Sequence, residues 1–215
     1  MRDRRTAILE AAARVIARRG VRGLRVEELA VEAGVSKALI YYHFDGRAGL
    51  LGSTLGFIGD RAERYTTDPS GPASLSGASP PPAGREELER SLLLEFQDVP
   101  EVRENSAAWG ELRASAVFDP ELRDELARSG LSWVREVADL LRSATSRTGA
   151  GVSGPVLVAA AERLTALLEG LSARWLSGIL PLEHARALMR EAIAVELQQL
   201  GAGVRADCDR VAVDV

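Results

Sequence analysis

Residues 23–47 read GLRVEELAVEAGVSKALIYYHFDGR, and the fold turns on how this stretch is divided. Val26, Leu29, Ala30 and Ala33 recur at i, i+3, i+4 and i+7, which gives a first short helix one apolar face. Gly34 stands where a helix needs a left-handed residue to stop. Ser36 can then N-cap a second helix by accepting from the backbone N–H of Ala38 or Leu39. Val35 and Ile40 flank that cap at the spacing of a hydrophobic staple, which sets the angle between turn and helix. Helix, glycine turn and capped helix together make a helix-turn-helix signal.

The second helix, about Lys37 to His43, is short and rich in polar and aromatic side chains. Ile40 and Phe44 can anchor it inward, leaving Lys37, Ala38, Leu39, Tyr41, Tyr42 and His43 on its other faces. Lys37 is the only lysine among 27 basic residues. Lys37 and Ala38 lie at the N-terminal end, the part of a recognition helix that meets base edges. The Lys37 ammonium can donate to guanine O6 and N7 or to a phosphate, while Ala38 and Leu39 can touch a thymine methyl. Tyr41 and Arg47 suit phosphate contacts, which fix register without reading sequence. A purely structural aromatic cluster of Tyr41, Tyr42 and His43 is the competing reading, and His43 is assigned to packing.

Ala33-Gly34-Val35-Ser36, Ile40-Tyr41-Tyr42-His43-Phe44 and Arg47 resemble the N-terminal domain of the TetR family of ligand-responsive transcriptional repressors. Two positions depart from that pattern. Arg25 stands where the family usually caps the first helix of the motif with Ser or Thr, and Leu39 where it often has a small polar residue. The resemblance therefore implies a DNA-binding set of Arg25, Ser36, Lys37, Ala38, Leu39, Tyr41, Tyr42 and Arg47.

Charge is distributed to match. The chain carries −4 overall, but residues 1–50 carry +4 and the remainder −8, a basic head on an acidic body. Cys208 is the only cysteine, so neither an intrachain disulfide nor a thiolate metal cluster can form. The arginine-rich start lacks the apolar core of a signal peptide, and no run reaches the roughly 18 apolar residues of a membrane span. A cytoplasmic protein is expected. His43 and His184 are the only histidines, and neither has a nucleophile elbow beside it. With no P-loop, dinucleotide fingerprint or His/Cys metal spacing, no enzyme, metal or cofactor is expected.

Around the motif, the expected fold is all-α: an N-terminal three-helix helix-turn-helix domain over 1–47, then a helical ligand-binding and dimerisation domain over 48–203, and a tail over 204–215. Residues 3–19, with Ile8, Leu9, Ala12, Val15 and Ile16 on one stripe, should cover the motif, since two short helices cannot bury a core alone. A long helix over Gly46–Tyr65 carries Gly49, Gly52, Gly56 and Gly59 along one face, where close packing is favoured over a hinge or codon drift. Residues 66–85 hold five Pro, three Gly and four Ser, the composition of a flexible loop. Helices follow near 85–97, 101–117 and 120–145, the third capped by Asp119. One from Pro155 and one from Pro181 to a stop at Gly201 complete the set.

Leu157, Ala161, Leu164, Leu168, Leu171 and Trp175 step 4-3-4-3-4 along the helix from Pro155, a coiled-coil-like seam. The last two helices are apolar beyond one stripe, which implies a second copy of the chain. The resemblance implies the same, since TetR-like proteins dimerise through their last two helices. Leu157, Leu164, Leu168, Leu171, Leu188 and Ile193 are the expected interface. FDPELRDEL and ALLEGLSARWLSG also resemble the C-terminal domain of BetI-type regulators. Pocket residues in that architecture lie on the fourth to eighth helices, where Phe57, Phe96, Trp109, Phe118, Trp133 and Trp175 supply the large apolar surfaces. Three tryptophans also offer faces for a quaternary ammonium. The expected protein is thus a homodimeric, ligand-released repressor on a near-palindromic operator. The alternative is a module whose body docks a protein partner, with DNA binding secondary.

Overall fold

The computed structural model describes residues 3–67, 84–146 and 151–213. Most of the 66–85 loop, part of the 145–154 loop and the end of the tail lie outside the described residues. Among the described residues all regular structure is helical: α1 (Arg4–Arg19), α2 (Val26–Ala33), α3 (Lys37–His43), α4 (Gly46–Thr67), α5 (Arg85–Leu93), α6 (Pro100–Ala116), α7 (Pro120–Thr145), α8 (Gly154–Leu176) and α9 (Leu182–Val213), with a 3-10 turn at Val21–Gly23. They divide into two compact units, Met1–Tyr65 with Gln97–Gly130, and Thr66–Phe96 with Leu131–Val215. The expected 1–47 head thus shares one compact unit with most of α4 and all of α6.

In the first unit, Asp3 caps α1 by accepting from the Arg5 N–H at 3.3 Å, and α1 packs on α2 and α6. Ile8, Ile16, Leu29, Ile40, Leu51, Leu55 and Leu112 form the buried centre. Each removes a branched apolar side chain from water, worth about 1.5–3 kcal/mol. That is how the short α2 and α3 hold their helical state. Gly20, at φ 71°, turns the chain out of α1; a Cβ there would lie 2.7 Å from Glu111 Oε2 of α6. The same Oε2 accepts from the Val21 N–H at 3.4 Å. α2 is pinned to α1 by Glu32, which accepts from Arg14 and Arg18, and by Glu28, which accepts from Arg19. Farther along α4, buried Arg61 donates from Nε to Asn105 Oδ1 at 2.7 Å and from Nη1 to Glu104 Oε1 at 2.9 Å, tying α4 to α6.

The α4 glycine face is not a packing seam. A Cβ at Gly56 or Gly59 would meet nothing within 4 Å, and at Gly52 only the Glu125 side chain at 3.7 Å, an ordinary contact. In the second unit α9 packs on α5 and α8. Leu88, Leu92, Phe96, Val137, Leu141, Leu157, Leu164, Met189 and Ile193 build its core. Asp119 caps α7 as expected, accepting from the Glu121 and Leu122 N–H groups at 3.1 and 3.3 Å. Gly201 does not end α9, which continues to Val213. No positive φ occurs at Gly201, and one helical glycine costs only about 1 kcal/mol against alanine.

Candidate nucleic-acid interface

The motif forms at the residues that specify it. Gly34 caps α2 in the left-handed conformation at φ 65°, and its N–H closes the helix on the Ala30 and Val31 carbonyls. Ser36 Oγ then accepts from the Leu39 N–H at 3.2 Å and starts α3. Ile40 and Phe44 are buried, so the rest of α3 is turned outward. Ser36, Lys37 and Ala38 are exposed and Leu39 is half-buried. Tyr41 is 60% and Tyr42 81% exposed. His43 is half-buried, with its ring against Tyr42 at 5.3 Å and Phe44 at 6.2 Å, in keeping with a packing role. Phe44 also lies under the Arg5 guanidinium at 5.4 Å.

Three charged side chains complete this surface. Arg25 is the residue preceding α2; its side chain makes no capping bond there and is exposed. Lys37 Nζ donates to Glu27 Oε1 at 3.2 Å, across the turn between α2 and α3. The Glu27 carboxyl is held below its ordinary pKa by a backbone hydrogen bond first and by Lys37 second, so it stays ionised at neutral pH. Arg47 behaves differently from the free phosphate donor expected of it. Its Nη1 donates to the Leu24 carbonyl and its Nη2 to the Val21 carbonyl, so it braces the loop before α2 from the first turn of α4. Leu24, Val26, Ile40 and Leu50 line a recess beside this brace together with Arg25, Glu27 and Tyr41. The arrangement is a rigid scaffold that offers hydroxyl and cationic donors from one side of a short helix, the requirement for holding a helix in a major groove.

Comparison with known proteins agrees. The chain matches the profile of the bacterial regulatory proteins, tetR family, over residues 8–54, and that of the BetI-type transcriptional repressor C-terminal domain over residues 82–198. A crystal structure described as a TetR-family transcriptional regulator from Rhodococcus sp. is 48% identical, with a TM-score of 0.77 over 90% of this chain and 98% of that one. The chain belongs to the TetR family. A transcriptional regulator from Saccharomonospora viridis, solved in complex with choline, is 27% identical with a TM-score of 0.70 over 88% of this chain and 95% of that one. The HTH-type transcriptional repressor KstR2 of Rhodococcus jostii is 36% identical over 63 residues, 29% of this chain. That match spans only 31% of the repressor's length. As a TetR-family regulator the protein works by binding DNA rather than by catalysis. Among the described residues no helix is long and apolar enough to cross a membrane.

In this TetR-family chain the expected body sites fall out differently. Leu157, Leu164, Leu168, Leu171 and Ile193 are buried in the core of their own second unit, and Leu188 packs partly buried against it. The five buried side chains are sealed within one chain and leave no surface for a partner, whereas Leu188 keeps part of its own exposed. The 4-3-4-3-4 seam belongs to α8 against its own unit. What α8 and α9 leave exposed includes Val156, Val158, Ala166, Leu167, Gly170 and Ala173 on one and Ala187 and Val195 on the other. Of the expected pocket residues, Phe57 and Trp109 pack against the first core, and Phe96, Trp133 and Trp175 belong to the second. Phe96 and Trp175 meet at 6.4 Å. Phe118 lines neither, being 84% exposed at the turn between α6 and α7. Sequence reading had not singled out Arg61 or Ser172. Ser172 Oγ is buried near Trp175 on α8 and makes no hydrogen bond among the described residues. Its polar type on an apolar stripe was the available signal.

Proposed function

We propose that the protein is a homodimeric repressor that holds two α3 helices about 34 Å apart in successive major grooves of a near-palindromic operator, and that a small molecule bound in the helical body releases it. The observation carrying this reading is α3 itself: a capped helix with a buried Ile40–Phe44 underside and an outer face of Lys37, Ala38, Tyr41 and Tyr42. Lys37 and Ala38 read bases with Leu39, while Arg25, Ser36, Tyr41 and Tyr42 position the helix on phosphates. Arg47 acts here by keeping the α2 loop in place. The dimer forms through the exposed small-residue face of α8 and α9, where Ala and Gly allow close helix approach.

For the effector, the second unit offers Phe96, Trp133 and Trp175 with the unpaired Ser172 hydroxyl. Choline bound by the Saccharomonospora relative supports a quaternary ammonium as the first compound to try. Binding that favours a conformation with a different head spacing shifts the population away from the operator-competent form.

The test is a fluorescence-anisotropy titration of the intergenic DNA beside the protein's own gene, with and without candidate effectors. Tight, salt-sensitive binding by a dimer is expected. Tyr41→Phe should weaken it several-fold with little change in salt slope, while Lys37→Ala should change base preference or the slope. Unchanged binding in both variants would remove α3 from the interface.

A further inference from the structure

We infer that Glu27 sets the DNA selectivity of α3 by holding Lys37 against indiscriminate phosphate binding. The inference rests on the operator-binding role of α3 proposed above. α2 carries three acids beyond its start, and their partners differ. Glu28 and Glu32 turn to arginines of α1 and pin the two helices together. Glu27 alone turns the other way, to Lys37 of α3, at 3.2 Å. Its side chain is 70% and that of Lys37 56% exposed, so this pair contributes little to the fold. It sits on the surface that faces DNA, where an unneutralised carboxylate works against binding. The backbone hydrogen bond accounts for a carboxylate in the first turn of α2 but not for its pairing with Lys37 on this surface.

The chemistry of the two possible DNA partners supplies one. A phosphate offers Lys37 an anionic oxygen, which is what Glu27 already provides. Moving Lys37 to the phosphate leaves the carboxylate unpaired beside a polyanion, so the exchange gains little. A guanine edge offers two neutral acceptors, O6 and N7, in the major groove. An ammonium with three donors can serve one of these acceptors while keeping its bond to Glu27. The carboxylate then remains neutralised. Glu27 therefore penalises generic contacts more than the correct site, and selectivity rises as overall affinity falls. One exposed unit charge against another at contact distance changes binding by about fivefold per head, or about 25-fold for two heads acting together.

The test uses the full chain and Glu27→Gln, which keeps the shape and removes the charge. Binding is measured over a salt series to two duplexes of equal length, one of random sequence and one selected from a random pool by the wild-type protein. Circular dichroism should be unchanged and the melting midpoint should fall by no more than about a few degrees, since Glu27 also takes a backbone hydrogen bond in the first turn of α2. Glu27→Gln should tighten random-duplex binding about 5- to 25-fold at low salt and steepen its salt slope by about one per head, since Lys37 becomes a full counterion-releasing contact. The selected duplex should gain less, so the selectivity ratio falls. In a Lys37→Gln background, Glu27→Gln should leave that ratio unchanged. Equal tightening on both duplexes would overturn the inference, as would no tightening or the same ratio change without Lys37. Failure of the wild-type chain to select or bind any duplex would instead refute the DNA reading beneath it.

Discussion

Leu164→Ala separates a seam within the protomer from one between protomers. Leu164 is 1% exposed and shares the second core with Met189 and Ile193. Truncation loses the transfer energy of the removed carbons and leaves a cavity that tightly packed neighbours refill only in part. The combined cost is about 2–5 kcal/mol. In a chain of this size that lowers the melting midpoint by about 4–20 °C, at roughly 2–4 °C per kcal/mol. The comparison variant is Gly170→Glu. Gly170 is exposed on α8, and a Cβ there meets nothing within 4 Å. Replacing a helical glycine should favour α8 by about 0.5–1 kcal/mol, while a charge on the proposed dimer face should split the dimer. Sedimentation velocity and thermal unfolding across a wide concentration range distinguish the two effects, because oligomer stability follows concentration and core stability does not. Leu164→Ala should keep the wild-type association constant and lose stability by the same amount in the monomeric Gly170→Glu background. If Leu164→Ala instead weakened association and cost nothing in that background, the seam would be intermolecular and this account of α8 would be wrong.

Two further outcomes follow from single features. Gly56→Ala and Gly59→Ala should each stabilise the protein by about 0.5–1 kcal/mol in thermal or urea unfolding, since their Cβ positions are open; destabilisation would mean that a neighbour or partner fills that face. Glu32 has its carboxyl pKa lowered by hydrogen bonds from Arg14 and then Arg18, so the contribution of this clamp is fully present above the ordinary value of 4.5 and is lost as pH falls through the lower folded value. Urea unfolding across the acid range should therefore show Glu32→Gln differing from wild type at neutral pH and converging with it under acid conditions; a constant gap would remove Glu32 from the acid transition.

The helix-turn-helix was legible in the sequence because its determinants are local. A left-handed Gly34, a Ser36 cap and an Ile40–Phe44 underside all act within a few residues of where they stand. Periodicity also identified the buried stripe of α8, but it says which side chains leave water and not what covers them. The leucine seam was accordingly assigned to a second copy when its own chain covers it. Phe118 failed for a related reason: hydrophobicity argues for burial, yet the short turn between Ala116 and the Asp119 cap points it outward. The links that α6 makes within the first unit were not legible, because they join positions far apart in the chain, Glu111 to Val21 and Asn105 to Arg61. Arg47 shows the same limit, since its type and place at the start of α4 were readable but its carbonyl partners, two dozen residues earlier, were not.

Those internal partners change what the head's charge can do, and this yields a measurable consequence. Residues 1–50 carry +4, yet much of that cation content is engaged within the head. Arg14 and Arg18 share Glu32, Arg19 holds Glu28, Lys37 meets Glu27, and Arg47 is bonded to backbone carbonyls. Beside α2 and α3, among the described residues, the exposed cations without a carboxylate or carbonyl partner are then Arg22 and Arg25, with Arg5 seated on Phe44 and bonded to Ser53, and Lys37 available to the extent that Glu27 yields it. Two to three phosphate contacts per head, or about four to six for a dimer, imply a log–log salt slope of about −4 to −5. Counting every basic residue of the head as a contact would predict a slope several-fold steeper. Anisotropy titrations over a salt series decide between these values. A slope well beyond −5 would show that the arginines of α1 leave their carboxylates for DNA, and that the clamp between α1 and α2 opens when the protein binds.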